Sequence, residues 1–243
     1  MKKPNFINEK EVFAINPDLE ASVHVIGPEE TRVVVIENFY LNPDSVRDLA
    51  LTIPPTENSK ILAGSPGTRV FGHYNFSNMY PIFHHIFRNV YGEITSDITD
   101  EEIKTTITTT PFCVNVSQSD KMPPVVPHID DENRMLFAGA LYLNTPEECA
   151  GGTSFYMLKG KQKVSNKEIG DWLLETNHGN FHTHYLTDSE KDWDLLSVAE
   201  MKYNRLIVYP GNVLHTAYVK PEMFTEDKYR LVQMFFMPLR PNE

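Results

Sequence analysis

The sequence predicts a mainly β fold: a sandwich or small barrel with helices from its N-terminal part packed against it. Two observations carry this expectation. Six short apolar stretches rich in β-branched and aromatic residues follow one another after Thr105, separated by Pro and Gly turns. Helical periodicity, by contrast, is concentrated before Thr105.

The elements follow in order. Thr31–Phe39 (TRVVVIENF) reads as a strand because β-branched residues suit a pleated surface. Asn42-Pro43-Asp44-Ser45 then reads as a helix start, with Asn42 as cap, Pro43 in the first turn and Val46, Leu49 and Ala50 as the apolar stripe. A second helix is expected over Met79–Tyr91, where Tyr80, Phe83, Phe87 and Val90 share one face. The strands are expected at Thr106–Val116, Met135–Asn144, Gly152–Met157, Asn204–Tyr209, His215–Val219 and Tyr229–Met237. Lys159–Tyr203 is polar, partly helical and too long for an ordinary connection, so a lid or inserted subdomain is expected there. The whole reads as one domain over residues 1–243. Residues 1–104 form its strand-and-helix part and 105–243 its β core, with the insertion at 159–203.

Composition narrows the function classes. With 41% hydrophobic and 23% charged residues, the chain is composed like a globular protein. The longest apolar run near the start, Val33–Ile36, is far shorter than a membrane span, and Met1–Lys10 lacks the apolar core of a secretory signal. Two cysteines, Cys113 and Cys149, make no disulfide framework; a cytoplasmic protein with reduced thiols is expected. The formal charge of −11, from 33 acidic and 22 basic residues with no Lys/Arg cluster, disfavours nucleic acid as a partner. A small molecule, a peptide or a protein side chain is the expected substrate class, and oligomeric state is not legible.

The chemistry centres on Pro127-His128-Ile129-Asp130. In an extended chain, side chains two apart point the same way, so His128 and Asp130 can grip one ion together. His215, 87 residues later and just beyond the Tyr209-Pro210-Gly211-Asn212 turn, is the natural third ligand. Two imidazoles and one carboxylate on one face leave positions open, as a non-haem iron centre requires. A strand end with a solvated Asp is the bland alternative for the tripeptide alone.

The wider order of motifs is more specific. After His128–Asp130 come Tyr142-Leu143-Asn144, Gly151-Gly152-Thr153-Ser154-Phe155, Tyr209-Pro210-Gly211 leading to His215, and Arg230 at the last strand. Over roughly Thr105–Pro238, this order resembles the prolyl-4-hydroxylase-like branch of the 2-oxoglutarate, Fe(II)-dependent oxygenases. The resemblance implies a double-stranded β-helix (jelly-roll) core with Fe(II) held by His128, Asp130 and His215. It also implies 2-oxoglutarate and O2 as cosubstrates. Arg230 would pair with the distal carboxylate of 2-oxoglutarate, a task suited to a planar guanidinium fork. Tyr142 would help bind the same carboxylate, although a core tyrosine fits that apolar strand too. Gly151 and Gly152 would form the tight entry to a strand.

Two features depart from the family pattern. Arg230 follows His215 by 15 residues, a longer gap than is usual, so Lys220 and Lys228 stand as substitutes. The 159–203 insertion has no evident counterpart. His178, His182 and His184, with Glu175, could form a second metal site, though exposed loop histidines are commoner. His84 and His85 read as packing or surface residues, and Cys113 and Cys149 as small hydrophobes. Asp131 should point away from the metal. Trp172 and Trp193 could line a cleft or anchor a subdomain.

With Asp130 present, no ligand position is vacated for halide, so hydroxylation is expected over halogenation. A cupin-like binding module without turnover is the alternative, and a metal-dependent hydrolase or isomerase a third.

Overall fold

The computed structural model describes residues 8–54, 67–118, 126–131, 135–161, 165, 167–169, 171 and 186–239. Among them are the helices α1 (Glu9–Val12), α2 (Pro43–Thr52), α3 (Tyr80–Asn89) and α4 (Asp100–Thr109). Ten strands accompany them. They are β1 (Glu20–Ile26), β2 (Thr31–Glu37), β3 (Thr68–Gly72), β4 (Phe112–Ser117), β5 (Met135–Tyr142), β6 (Gly152–Leu158), β7 (Trp193–Glu200), β8 (Leu206–Pro210), β9 (His215–Tyr218) and β10 (Arg230–Leu239).

The strands form two antiparallel sheets, one of seven strands in the order β1-β2-β8-β5-β10-β4-β3 and one of three in the order β7-β6-β9. The short stretch at His128 adds to the free side of β9 through an isolated bridge, His128 with His215. From Phe112 onward the chain therefore passes back and forth between a large-sheet set, β8-β5-β10-β4, and a small-sheet set, β7-β6-β9 plus the His128 stretch, with β6 and β7 following one another in the small sheet. That winding is the double-stranded β-helix, or jelly roll. Among the described residues no helix is long and apolar enough to cross a membrane.

Period-2 alternation assigns each face of the large sheet. Val34, Ile36, Val114, Phe137, Leu141, Leu206, Val208, Leu231, Phe235 and Met237 point outward onto the helices. There Phe83, Ile86 and Phe87 of α3, Ile103 and Ile107 of α4, and Val46, Leu49 and Ala50 of α2 cover them. Phe137 is fully buried, with ring centroids 4.8 Å from Phe87 and 4.7 Å from Tyr91. The intervening residues Val33, Ala138, Ala140, Tyr142, Ile207, Tyr209 and Val232 face the small sheet, where Phe155 meets them.

The helix expected at Asn42 forms with Pro43 in its first turn, but Asn42 makes no side-chain capping bond. Thr106–Thr109, expected to open a strand, instead closes α4. The reason is a capping box, in which the Thr99 hydroxyl accepts from the Glu102 N–H while the Glu102 carboxylate accepts from the Thr99 N–H. With Ile103 and Ile107 one turn apart and buried, that start outweighs the β preference of the threonines.

The 159–203 stretch contains a core strand, β7, paired along β6. Trp193 belongs to that strand. It packs edge-on against Tyr156, centroids 6.4 Å apart, among Ile129, Leu158, Ile169, Leu186 and Leu214 on the outer face of the small sheet. Trp172, Glu175, His178, His182 and His184 lie outside the described residues.

Candidate metal centre

Three backbone hydrogen bonds build the site before any side chain acts. The His128 N–H donates to the His215 carbonyl and the His215 N–H to the His128 carbonyl, both at 3.0 Å, and the Asp130 N–H donates to the Gly211 carbonyl at 2.7 Å. The 128–130 stretch is thus held extended, with His128 and Asp130 turned into the space between the sheets and Ile129 turned out to the Trp193 cluster.

The ligand-capable atoms of His128, Asp130 and His215 all lie within 4.8 Å of one another, the only such group among the described residues. His128 Nε2 is 3.9 Å from Asp130 Oδ1, and His215 Nε2 is 3.5 Å from Asp130 Oδ2. Each imidazole uses its other nitrogen on the backbone: His128 Nδ1 lies 3.2 Å from the Val126 carbonyl and His215 Nδ1 2.8 Å from the Val213 carbonyl. A carbonyl only accepts, so Nδ1 carries the proton and the bare Nε2 lone pairs converge. Burial, with the neighbouring His215, pushes the pKa of His128 down to about 4, which keeps this imidazole neutral and able to ligate near pH 7. Asp130 Oδ2 is buried and makes no hydrogen bond. Two neutral nitrogens and one carboxylate oxygen with an orphaned lone pair suit a borderline divalent metal such as Fe(II).

A cavity of about 120 Å³ adjoins this group, lined also by Thr153, Tyr209, Arg230, Arg69 and Asn115. Arg230 opens β10 and points inward by the same alternation as Val232. Its side chain is 6% exposed, and Nη2 donates to the Gly152 carbonyl at 3.2 Å. Nε is buried without a partner, and no carboxylate pairs with Arg230 among the described residues. Burial alone pulls its pKa down, the direction expected of a cation lacking a counter-charge.

Gly151 and Gly152 make the turn that presents the Gly152 carbonyl. Both have positive φ, 68° and 152°, and a Cβ on either would lie about 2 Å from a backbone oxygen, of Tyr218 or Ala199 respectively. Lys220 and Lys228 are exposed and do not line the cavity, so the basic group brought to it from this end is Arg230. The long 219–229 connection is tied down by the fully buried Phe224.

Tyr142, expected beside Arg230, does not line the cavity. It is fully buried, and its hydroxyl donates to Thr153 Oγ1 at 2.9 Å, with the Ala199 carbonyl at 3.3 Å. The tyrosine that does line it is Tyr209, in sequence the end of an expected strand running into a turn, with no site role expected of it. Burial and the nearby Asp130 raise its pKa well above the ordinary value, so it stays protonated. Strand alternation from Val208, which faces the helices, could have found it. Arg69, its guanidinium 5.7 Å over the Phe236 ring, was missed because β3 itself was missed. Asp131 is absent from the lining. His84 pairs with Asp100 at 3.0 Å and His85 contacts Asn89, both surface roles. Cys113 is buried with its pKa pushed up to about 11, an inert thiol.

Fold and site together define a jelly-roll protein that gathers two histidines, one aspartate and a buried arginine between its sheets. The chain belongs to the family of unknown function DUF6445, whose model matches residues 17–231. Comparison with curated protein sequences finds no match. Among solved structures, it is similar to the non-heme alpha ketoglutarate dependent carbocyclase SnoK from nogalamycin biosynthesis, at 10% identity over 88% of this chain and 84% of that one, TM-score 0.44. It is also similar to a Pseudomonas putida prolyl-4-hydroxylase, at 11% identity over 96% and 97% of the two chains, TM-score 0.43. HygX from Streptomyces hygroscopicus, solved with nickel and 2-oxoglutarate bound, gives 11% identity over 86% and 84%, TM-score 0.43.

Proposed function

We propose that this chain is a 2-oxoglutarate-dependent non-haem Fe(II) dioxygenase that hydroxylates an amino-acid, peptide or protein side chain. The carrying observation is the pairing, across one cavity, of a His128–Asp130–His215 ligand set with Arg230, a buried cation that has no anionic partner among the described residues. A metal-dependent hydrolase would have no use for that arginine. The ordered motifs over Thr105–Pro238 support the same reading.

The chain's residues divide the work. His128, Asp130 and His215 would hold Fe(II) on one face, the backbone bonds to Val126 and Val213 fixing both imidazole tautomers. Arg230, itself oriented by the Gly152 carbonyl, would bind the distal carboxylate of 2-oxoglutarate and aim its 2-oxo acid end at the metal. Val232, Met234, Ala140 and Ala217 wall the cavity with apolar surface and restrict water. When bound, Fe(II) supplies O2 activation coupled to decarboxylation of 2-oxoglutarate to succinate and CO2.

The test is succinate formation from 2-oxoglutarate by Fe(II)-loaded protein, with Asp130→Gly alongside. Fe(II)-dependent turnover that vanishes in Asp130→Gly supports the assignment. Undiminished turnover in the variant refutes the ligand set.

A further inference from the structure

The cavity beside the ligand set has a blind end and a mouth, with an arginine toward each. Along β10 the inward row runs Arg230, Val232, Met234, Phe236. Arg230 and Val232 are 6% and 2% exposed, while Met234 and Phe236 are half-buried, so the cavity opens toward Phe236.

Arg69 stands at that mouth. It comes from β3, the last strand of the large sheet, where it lies opposite Asn115 of β4, itself opposite Val232. Residues paired across strands share a face, so the Arg69 side chain points inward with theirs. Its guanidinium lies 5.7 Å over the Phe236 ring, a contact that steadies the cation on the ring face without drawing on its N–H donors.

Charge indicates what the group is for. Among the described residues lining the cavity, Asp130 is the one carboxylate, against the two cations Arg69 and Arg230. In a chain of net charge −11, the local balance is thus reversed in sign. With the site filled, the two charges of Fe(II) offset the two of 2-oxoglutarate, and Arg230 offsets Asp130; both imidazoles are neutral as ligands. The lining then carries one positive charge in excess. A single carboxylate on the substrate balances it, a phosphate dianion would overshoot, and a cationic substrate would double it.

We propose that Arg69 selects the substrate, binding a substrate carboxylate at the mouth and holding the carbon to be oxidised on the metal side of it. This rests on the dioxygenase reading above and narrows its substrate to an acid. The carboxylate is that of a free amino acid or an acidic side chain of a peptide. Arg69 positions the substrate and takes no part in bond breaking.

The test is calorimetric titration of anaerobic protein loaded with Fe(II) and 2-oxoglutarate, using two matched pairs of probes. One pair is N-acetylglycine and N-acetylglycinamide; the other is acetyl-Gly-Asp-Gly-amide and the same peptide with Asn for Asp. In at least one pair the acid should bind wild type about 10-fold or more tighter than its amide, and the pair that does so identifies the source of the carboxylate. Arg69→Gln should erase the preference while binding 2-oxoglutarate within about threefold of wild type. Should that variant fail to fold, Arg69→Met decides by the same readings. Acids that bind wild type no better than amides, or a preference that survives Arg69→Gln, would overturn the proposal. A loss of 2-oxoglutarate affinity in Arg69→Gln as large as in Arg230→Ala would overturn it too, by moving Arg69 into the cosubstrate's site. Failure of the wild type to bind 2-oxoglutarate at all would sink the dioxygenase reading and this proposal with it; the other outcomes leave that reading standing.

Discussion

Arg230 donates its one hydrogen bond among the described residues to the Gly152 carbonyl, across 78 positions of sequence and from the large sheet to the small one. A buried cation is thereby fastened to the wall by a neutral dipole, while the rest of its guanidinium faces the cavity. Burying an arginine without a counter-charge is costly, and the cost is recovered only when an anion arrives.

Replacement of Gly152 by Ala should therefore damage the site from a distance. The new Cβ would sit 2.1 Å from the Ala199 carbonyl oxygen, at a φ of 152° that side chains avoid. Backbone strain of this kind costs about 1–3 kcal/mol. The melting temperature is expected to fall, and 2-oxoglutarate affinity to fall with it, since the carbonyl that aims Arg230 is displaced. A variant as stable and as tight-binding as wild type would refute that coupling.

Arg230→Lys keeps the charge and loses the fork. Its expected cost is about 10-fold or more in 2-oxoglutarate affinity, with Fe(II) affinity held within about threefold. Calorimetry on the same preparations reads both quantities.

Stability should fall in acid through Glu37. Burial pulls this carboxyl's pKa up, but hydrogen bonding and charge from Arg205, with Lys202 in support, outweigh burial and hold it below the ordinary value. A depressed folded pKa means stability fully present above the unfolded carboxylate value, about 4.3, and lost as pH falls through the folded value. Urea midpoints measured from pH 7 to pH 3 should drop less steeply for Glu37→Gln than for wild type. Parallel curves would show that the pair contributes nothing.

Phe137→Ala tests the helix-facing core. With Phe87 and Tyr91 packed on its ring, truncation should cost about 3–5 kcal/mol by denaturant unfolding. A cost below about 1 kcal/mol would mean that the helices do not seal that face.

Much of the site was legible because its parts obey local rules. An extended His-x-Asp presents both side chains to one side, so His128 and Asp130, with His215 beyond its turn, are candidates that spacing suggests, whereas Arg230 is a candidate only through the resemblance in motif order. What hid the rest was also physical. Strand β1 has only its last residue, Ile26, buried, so it carries no hydrophobic alternation to read. In β7, which spans Trp193–Glu200, only Trp193 is fully buried, and the strand dissolved into an apparent insertion. The threonines before Thr110 spell β propensity, yet a capping box from Thr99 to Glu102 decided for helix. Tyr142 and Tyr209 both face the small sheet from neighbouring strands, and their motifs cannot tell which of the two lines the cavity. That required the Thr153 hydroxyl in three dimensions.

The central claim, an Fe(II) site that binds 2-oxoglutarate between His215 and Arg230, is tested most directly by optical titration. Anaerobic Fe(II)-loaded protein is titrated with 2-oxoglutarate, and the weak visible metal-to-ligand charge-transfer band is followed in wild type, His215→Ala and Arg230→Ala. The expected result is a saturable band in wild type, none in His215→Ala, and one requiring much more 2-oxoglutarate in Arg230→Ala. No band in wild-type protein shown to be folded and iron-loaded would contradict the dioxygenase assignment.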